Sequence, residues 1–286
     1  MRARGIDISY YDISFDPNKA IQPIDFVIQR VSYGALNGMT YSDPAFKILL
    51  PNVKKVGICG GYHYLSTQSG WKAQADFFLT MIRDCEYDFY ALDFESAFNQ
   101  ITSKFSKDAN SWMEYIFQKT GKKVLFYTNP SLYDSYGWAY CSRWPLWLAQ
   151  YWKYPSPTKN PRMPRKRSSD NWTIYQYASE INYPGHAKEY GCGANSVDIN
   201  VFNGTVEDMQ KWLDEPTIEL PVTRNREGNI NTIFGLNVRD QPNLFGKKLY
   251  ALPYKAYVTI YDEKNSWYKI SSSLEQWMYS KYITLK

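Results

Sequence analysis

Short runs of apolar, β-branched and aromatic residues recur along the first two thirds of the chain. They are Ile6 to Ser9, Phe26 to Val31, Val56 to Tyr64, Phe89 to Phe94, Val124 to Tyr127, Leu146 to Gln150, Thr173 to Tyr177 and Val197 to Val201. Their length and composition predict eight strands. Helical patterns lie between several of them: Trp71, Ala75, Phe78, Leu79 and Ile82 fall on one face, and Trp112, Tyr115, Ile116 and Lys119 precede a stop at Gly121. Strands alternating with helices imply parallel neighbours joined by crossovers. Eight such strands predict an α/β fold, a (β/α)8-type barrel. The gaps between the fifth and eighth strands are poor in helical pattern, so the barrel is expected to be irregular.

Thr205 with Asp208 three residues on is an N-terminal capping pattern, and the helix it opens runs to about Leu213. The first domain is therefore expected to span 1–213. Residues 214–228 mix Pro216, Pro221, charges and Thr without a period and read as a linker. From 229 to 286 only short strands are predicted: Leu236 to Arg239, Tyr257 to Tyr261, Trp267 to Ile270 and Trp277 to Tyr279, with a turn at Asp240-Gln241-Pro242-Asn243. That pattern fits a small all-β barrel.

Composition adds a surface to this frame. With 26 Tyr and 10 Trp, the chain has more aromatic area than its core requires, although an unusually aromatic core is the alternative. Sugars suit such surfaces, because their C–H faces stack on rings while Tyr and Trp keep a polar handle. The net charge of +5 is uneven: residues 217–286 hold 10 Lys and Arg against 6 Asp and Glu, which favours anionic surroundings there. Cys59, Cys85, Cys141 and Cys192 are scattered without zinc or redox spacing, and His63 and His186 are the only imidazoles, so buried thiols and neither metal nor cofactor are expected. No apolar run approaches the roughly 20 residues that span a bilayer, and Met1 to Asp12 lacks the apolar segment of an export signal. No membrane insertion is expected. The basic run Arg165-Lys166-Arg167 lies in a Pro-rich insertion, Tyr154 to Asn171. Nucleic-acid binding is one reading of it, but a solvated loop near the rim of a groove fits its short length better.

The chemistry rests on carboxylates. Glycoside hydrolysis generally needs two carboxyl groups, one protonated to donate to the leaving oxygen and one ionised. Asp93 and Glu95 lie two apart at the end of a predicted strand and so share a face, about 7 Å apart at the backbone. Acids that close cannot both ionise freely, and one is pushed toward its neutral form. Asp7 and Asp198 are read as ending the first and last strands, which become neighbours if the barrel closes. All four carboxylates are then expected at the carboxyl-terminal face, where such barrels keep their active sites. Taken singly, an Asp at a strand end is also an ordinary turn or cap residue.

Several segments together resemble a known family. Gly5-Ile6-Asp7-Ile8-Ser9, Phe26 to Gly34, Gly61-Tyr62-His63-Tyr64, Leu92-Asp93-Phe94-Glu95, Phe126-Tyr127-Thr128-Asn129, Leu146 to Tyr151, Trp172 to Tyr177 and Val197-Asp198-Ile199-Asn200 occur in the order seen in glycoside hydrolase family 25. This family holds the Chalaropsis-type lysozymes, including many bacteriophage endolysins, and the likeness covers roughly residues 4–213. The C-terminal segments Leu236 to Arg239 and Gln276 to Tyr282 are similar to bacterial SH3-like wall-binding domains. Asp240-Gln241-Pro242-Asn243 there replaces the more common Ser-Gly-Pro-Ser turn.

The resemblance implies cleavage of the β-1,4 bond between N-acetylmuramic acid and N-acetylglucosamine in peptidoglycan, with lysis of bacteria. It implies Glu95 as acid/base, Asp93 as its partner, Asp7 and Asp198 as flanking acids, and Tyr33, Tyr62, Tyr127, Trp147, Gln150 and Gln176 as groove lining. His63 is expected to pack against barrel side chains. The partners implied are glycan strands and a wall ligand for the C-terminal domain. A chain made in a host cytoplasm without a leader, and acting on the wall, fits an endolysin. Two alternatives stay open at this point: a wall-glycan binder that does not cut, and a hydrolase of another amino-sugar polymer such as chitin.

Overall fold

The structure is a computed structural model that describes residues 1–95, 100–167, 171–215, 226–271 and 274–285. The chain divides into two units, Met1–Pro216 and Thr217–Lys286.

In the first unit the predicted strands all form: β1 (Arg4–Ile8), β2 (Phe26–Gly34), β4 (Ile58–Tyr64), β5 (Phe89–Asp93), β6 (Val124–Thr128), β7 (Leu146–Ala149), β8 (Ile174–Ala178) and β9 (Asp198–Phe202). A short strand absent from the sequence reading, β3 (Thr40–Ser42), hangs antiparallel on β2. Because β1 pairs with both β2 and β9, the eight strands close into a ring. The neighbours are parallel except at β9, which runs antiparallel to both β8 and β1. The expectation of eight parallel strands is corrected there. The return from β8 contains only a short 3-10 turn, Ala187–Tyr190, so no crossover brings the chain back to the far end before the last strand starts.

Alternation of side chains about each strand builds the interior. Phe26, Ile28, Phe89, Ala91, Leu125 and Trp147 form one apolar cluster. Gly60 belongs to the same layer, since a Cβ there would stand 2.5 Å from the Phe89 ring. The opposite face of β4, the strand that follows helix α1 (Phe46–Val53), carries His63, buried under helices α2 (Trp71–Ile82) and α3 (Ser103–Thr120). Both helices follow their sequence signals. The Thr102 hydroxyl caps the start of α3, and Gly121 ends it in the left-handed conformation at φ 67°. The last helix, Val206–Asp214, carries the expected capping box of Thr205 and Asp208. Between β6 and β7 only short helical pieces occur, Pro130–Leu132 and Trp138–Cys141 around a π-helical turn, and among the described residues none lies between β7 and β8. The irregular side of the barrel is therefore where the pattern placed it. All four cysteines are buried free thiols.

The second unit is all β, with sheets in the orders β13-β10-β17 and β12-β11-β16-β15-β14. Its strands β11 (Leu236–Arg239), β13 (Tyr257–Ile260), β15 (Trp267–Lys269) and β16 (Trp277–Tyr279) match the reading, while β10 (Arg226–Ile230), β12 (Lys248–Leu252), β14 (Asp262–Lys264) and β17 (Ile283–Leu285) are additional. β10 begins inside the span read as linker. Ile230, Val238, Ile260 and Met278 lie at the centre of its core.

Candidate active site

Asp93 is the last residue of β5, and Glu95 follows two positions later. Asp7 lies near the end of β1 and pairs in register with Asp198. Asp198 is the first residue of β9, not the last of a parallel strand as the sequence reading had it. The antiparallel direction of β9 puts its start at the end of the barrel where the parallel strands finish, so the convergence of the four acids holds for a different geometric reason.

A hydrogen-bonded network ties the acids together. Gln176 Nε2 donates to Asp7 Oδ2 at 2.7 Å and to Asp198 Oδ2 at 3.2 Å. The hydroxyls of Tyr127 (2.8 Å) and Tyr151 (2.5 Å) donate to Gln176 Oε1, which fixes which way the amide points. Asn200 Nδ2 donates to Asp7 Oδ2 at 2.7 Å, and Trp147 Nε1 holds the Asn200 carbonyl at 2.8 Å. Trp147 is 1% exposed, so it supports this network from below and offers no face to a ligand. Tyr62, Tyr127 and Gln176 are buried as well and form the floor of the site. Tyr33 lines an adjacent cavity of about 400 Å³ with Tyr10, Tyr11, Leu36 and Tyr64. A second cavity, about 370 Å³, is walled by Asp7, Asp12, Asp198, Tyr62 and Glu180. Gln150 is not drawn into the acid cluster, because its Oε1 accepts the backbone N–H of Arg162 at 2.6 Å.

Burial raises every one of these acids. Asp7 is pushed up to about 6, against the opposing hydrogen bonds of Asn200 and Gln176. Asp93 is driven well above the usual carboxylate range, first by burial and then by Glu95, with Arg30 opposing. Asp198 is likewise raised by burial and by Asp7. Glu95 is raised by burial, while the Tyr127 hydroxyl beside it works the other way. Such a set shares its protons, and the titration belongs to the group as a whole. Asp93 Oδ1 is buried and has no hydrogen-bond partner among the described residues, so this oxygen is open to a donor from outside the protein.

Two further residues complete the electrostatics. Arg30, next to a bulge in β2, is paired with Asp43 at 2.6 Å and lies between the rings of Tyr10 and Tyr33. Its charge lowers both Asp7 and Asp93. Asp12 is pushed up to about 7 by burial. Arg30 and Asn200 both lie inside segments that carry the family resemblance, although neither was singled out there. Asp12 lies outside them. His63 is stacked on Trp112 and bonded to Ser32 (2.8 Å) and Gln74 (3.1 Å), and burial pushes its pKa down to about 4. It is a neutral packing residue on the outer face of β4.

Comparison with known proteins agrees with this geometry. Residues 6–186 match the sequence model for glycosyl hydrolases family 25, and residues 235–284 match that for the bacterial SH3 domain. The autolytic lysozyme of Clostridium acetobutylicum is 28% identical over 255 residues, covering 82% of this chain and 74% of that one. An uncharacterized Escherichia coli protein, YegX, is 27% identical over 216 residues, 73% of each chain. A family 25 glycosyl hydrolase from Bacillus anthracis shares the fold with a TM-score of 0.57 at 22% identity, covering 73% of this chain and 92% of its own. The matched barrel is more than half of the chain, which therefore belongs to glycosyl hydrolases family 25 and is a lysozyme-type glycoside hydrolase whose sequence continues into a bacterial SH3 domain.

Proposed function

We propose that this chain is a peptidoglycan hydrolase that cuts the β-1,4 bond between N-acetylmuramic acid and N-acetylglucosamine. The observation that carries this reading is the unpartnered, buried Oδ1 of Asp93 beside Glu95 in a set of acids that burial holds toward their protonated forms. A sugar bearing an acetamido group brings the N–H that this oxygen lacks. That hydrogen bond stabilises ionised Asp93, and the proton shared by the pair then resides on Glu95, next to the leaving oxygen. The acetamido carbonyl oxygen attacks the anomeric carbon as the glycosidic C–O bond breaks, and Glu95 gives its proton to the departing hydroxyl. Water then opens the cyclic intermediate, and Glu95 takes a proton back. Asp7 and Asp198, held by Gln176, flank the sugar ring and help to orient it beside Glu95.

Mass spectrometry of fragments released from purified Gram-positive peptidoglycan tests the bond assignment. Muramic-acid reducing ends that disappear with Glu95→Gln are the expected result, whereas glucosamine reducing ends or freed peptides overturn it.

The SH3 unit serves as a wall anchor, in keeping with its net positive charge and its exposed Phe234 and Phe245. An independent anchor raises local concentration on a repeating surface. Deletion of residues 217–286 is expected to weaken wall binding by about 100-fold and to leave cleavage of soluble fragments intact. Equal loss of both activities rejects a separate anchoring role. A phage-type lytic role, with synthesis in a host cytoplasm and action at its wall, fits this arrangement.

A further inference from the structure

The basic run left unassigned by the mechanism lines a cavity of about 470 Å³, whose wall includes Ser131, Asp134, Gln150, Arg162, Arg165 and Lys166. Ser131 comes from the segment after β6 and Gln150 directly follows β7, so the cavity opens at the barrel end that carries Glu95. The loop is fixed in place by its backbone. Asp134 accepts the N–H groups of Arg165 (3.0 Å) and Lys166 (2.9 Å), and Gln150 accepts that of Arg162. Asp134 is thus spent on main-chain donors. Arg162, Arg165 and Lys166 are exposed and form no ion pair among the described residues. The Lys166 ammonium is steadied 4.8 Å from the centre of the Trp138 ring. Three cationic residues lining one concave site, with a single carboxylate already engaged by main-chain donors, favour an oxyanion ligand.

Resting on the muramidase reading, we infer that this cavity receives the carboxylates of the peptide stem carried by the muramic acid at the cleavage site. Reach supports the assignment. β5 and β7 are two strands apart, roughly 10 Å across the sheet, and a stem of about four residues extends roughly 13 Å. A stem leaving the sugar beside Glu95 therefore arrives at Arg162 and Arg165 without strain. The cavity favours substrate strands that still bear their peptides.

Calorimetry with soluble disaccharide-tetrapeptide and with the same disaccharide lacking the peptide tests this on the full chain. The wild type is expected to bind the peptide-bearing form about tenfold more tightly. The combined variant Arg162→Ala, Arg165→Ala and Lys166→Ala, or methyl esterification of the stem carboxylates, removes that preference. Cleavage of stem-free glycan by the variant at the wild-type rate confirms that it folds and locates the loss in stem recognition. Equal wild-type affinity for both disaccharides overturns the inference, as does preference for a glycerol-phosphate oligomer over the stem, which identifies a wall phosphate as the ligand. A wild-type chain that cuts neither glycan overturns the bond assignment alone, since the calorimetric comparison needs no cleavage.

Discussion

The two ends of the barrel interior are built from the same strands and obey opposite rules. At one end Phe26, Phe89 and Leu125 are fully buried, and Gly60 leaves space that only the Phe89 ring fills. At the other stand Asp93, further along β5, and Glu95 just past it, with Asp7 from β1 and Asp198 from β9, and burial disfavours the charge of each. The apolar end holds the fold together, and the acidic end draws on that stability to hold carboxyl groups where burial pushes them toward their protonated forms.

Separating the two ends by substitution sharpens the contrast, and activity shows the largest effect. Glu95→Gln is expected to lower kcat on soluble glycan by about 10³-fold with thermal stability unchanged or raised, measured by reducing-end assay and calorimetry on one preparation. A large drop in stability instead makes Glu95 structural and erases the contrast. Gly60→Ala should do the reverse: the added methyl collides with the Phe89 ring and costs roughly 2 kcal/mol. Chemical denaturation reads that loss, and kcat at low temperature is expected to stay within about threefold.

The smallest effect on activity is expected at Asp12, which burial pushes up to about 7 from an ordinary 3.8. In the unfolded chain Asp12 loses its proton first as pH rises, so stability falls between about pH 4 and pH 7 and levels off above. Asp12→Asn removes this penalty while retaining an acceptor for the Ser9 N–H that Asp12 now binds. Denaturation should show a gain of up to about 4 kcal/mol at pH 7.5 and only about 0.5 kcal/mol at pH 4. A gain equal at both pH values rejects burial of a titrating Asp12 as its cause.

The acids and most of the strands were legible because both obey a period of two. Asp93 and Glu95 share a face for the same reason that Phe89 and Ala91 do. Tyr62 and His63, adjacent in sequence, fall on opposite faces, one toward the acids and the other beneath α2 and α3. In the SH3 unit β11 alternates buried and half-buried positions and was found. β12 is exposed along almost its whole length, so no alternation marks it. Trp147 and Gln150 were read together as groove lining, yet Trp147 supports Asn200 from within the core and Gln150 binds the Pro-rich loop. Composition cannot tell a buried indole from an exposed one.

The sequence by itself determined the strand positions, the capped helices and the residues that carry ionisable chemistry, because each of these follows from local periodicity or local hydrogen bonding. Tertiary structure alone decided the direction of β9, the placement of Arg30 against Asp43 and between two tyrosines, and the depth at which Asp12 is buried. These depend on contacts between segments far apart in the chain. A carboxyl group's pKa is set by the water it loses and the charges brought beside it, and neither is fixed until the ring of strands has closed.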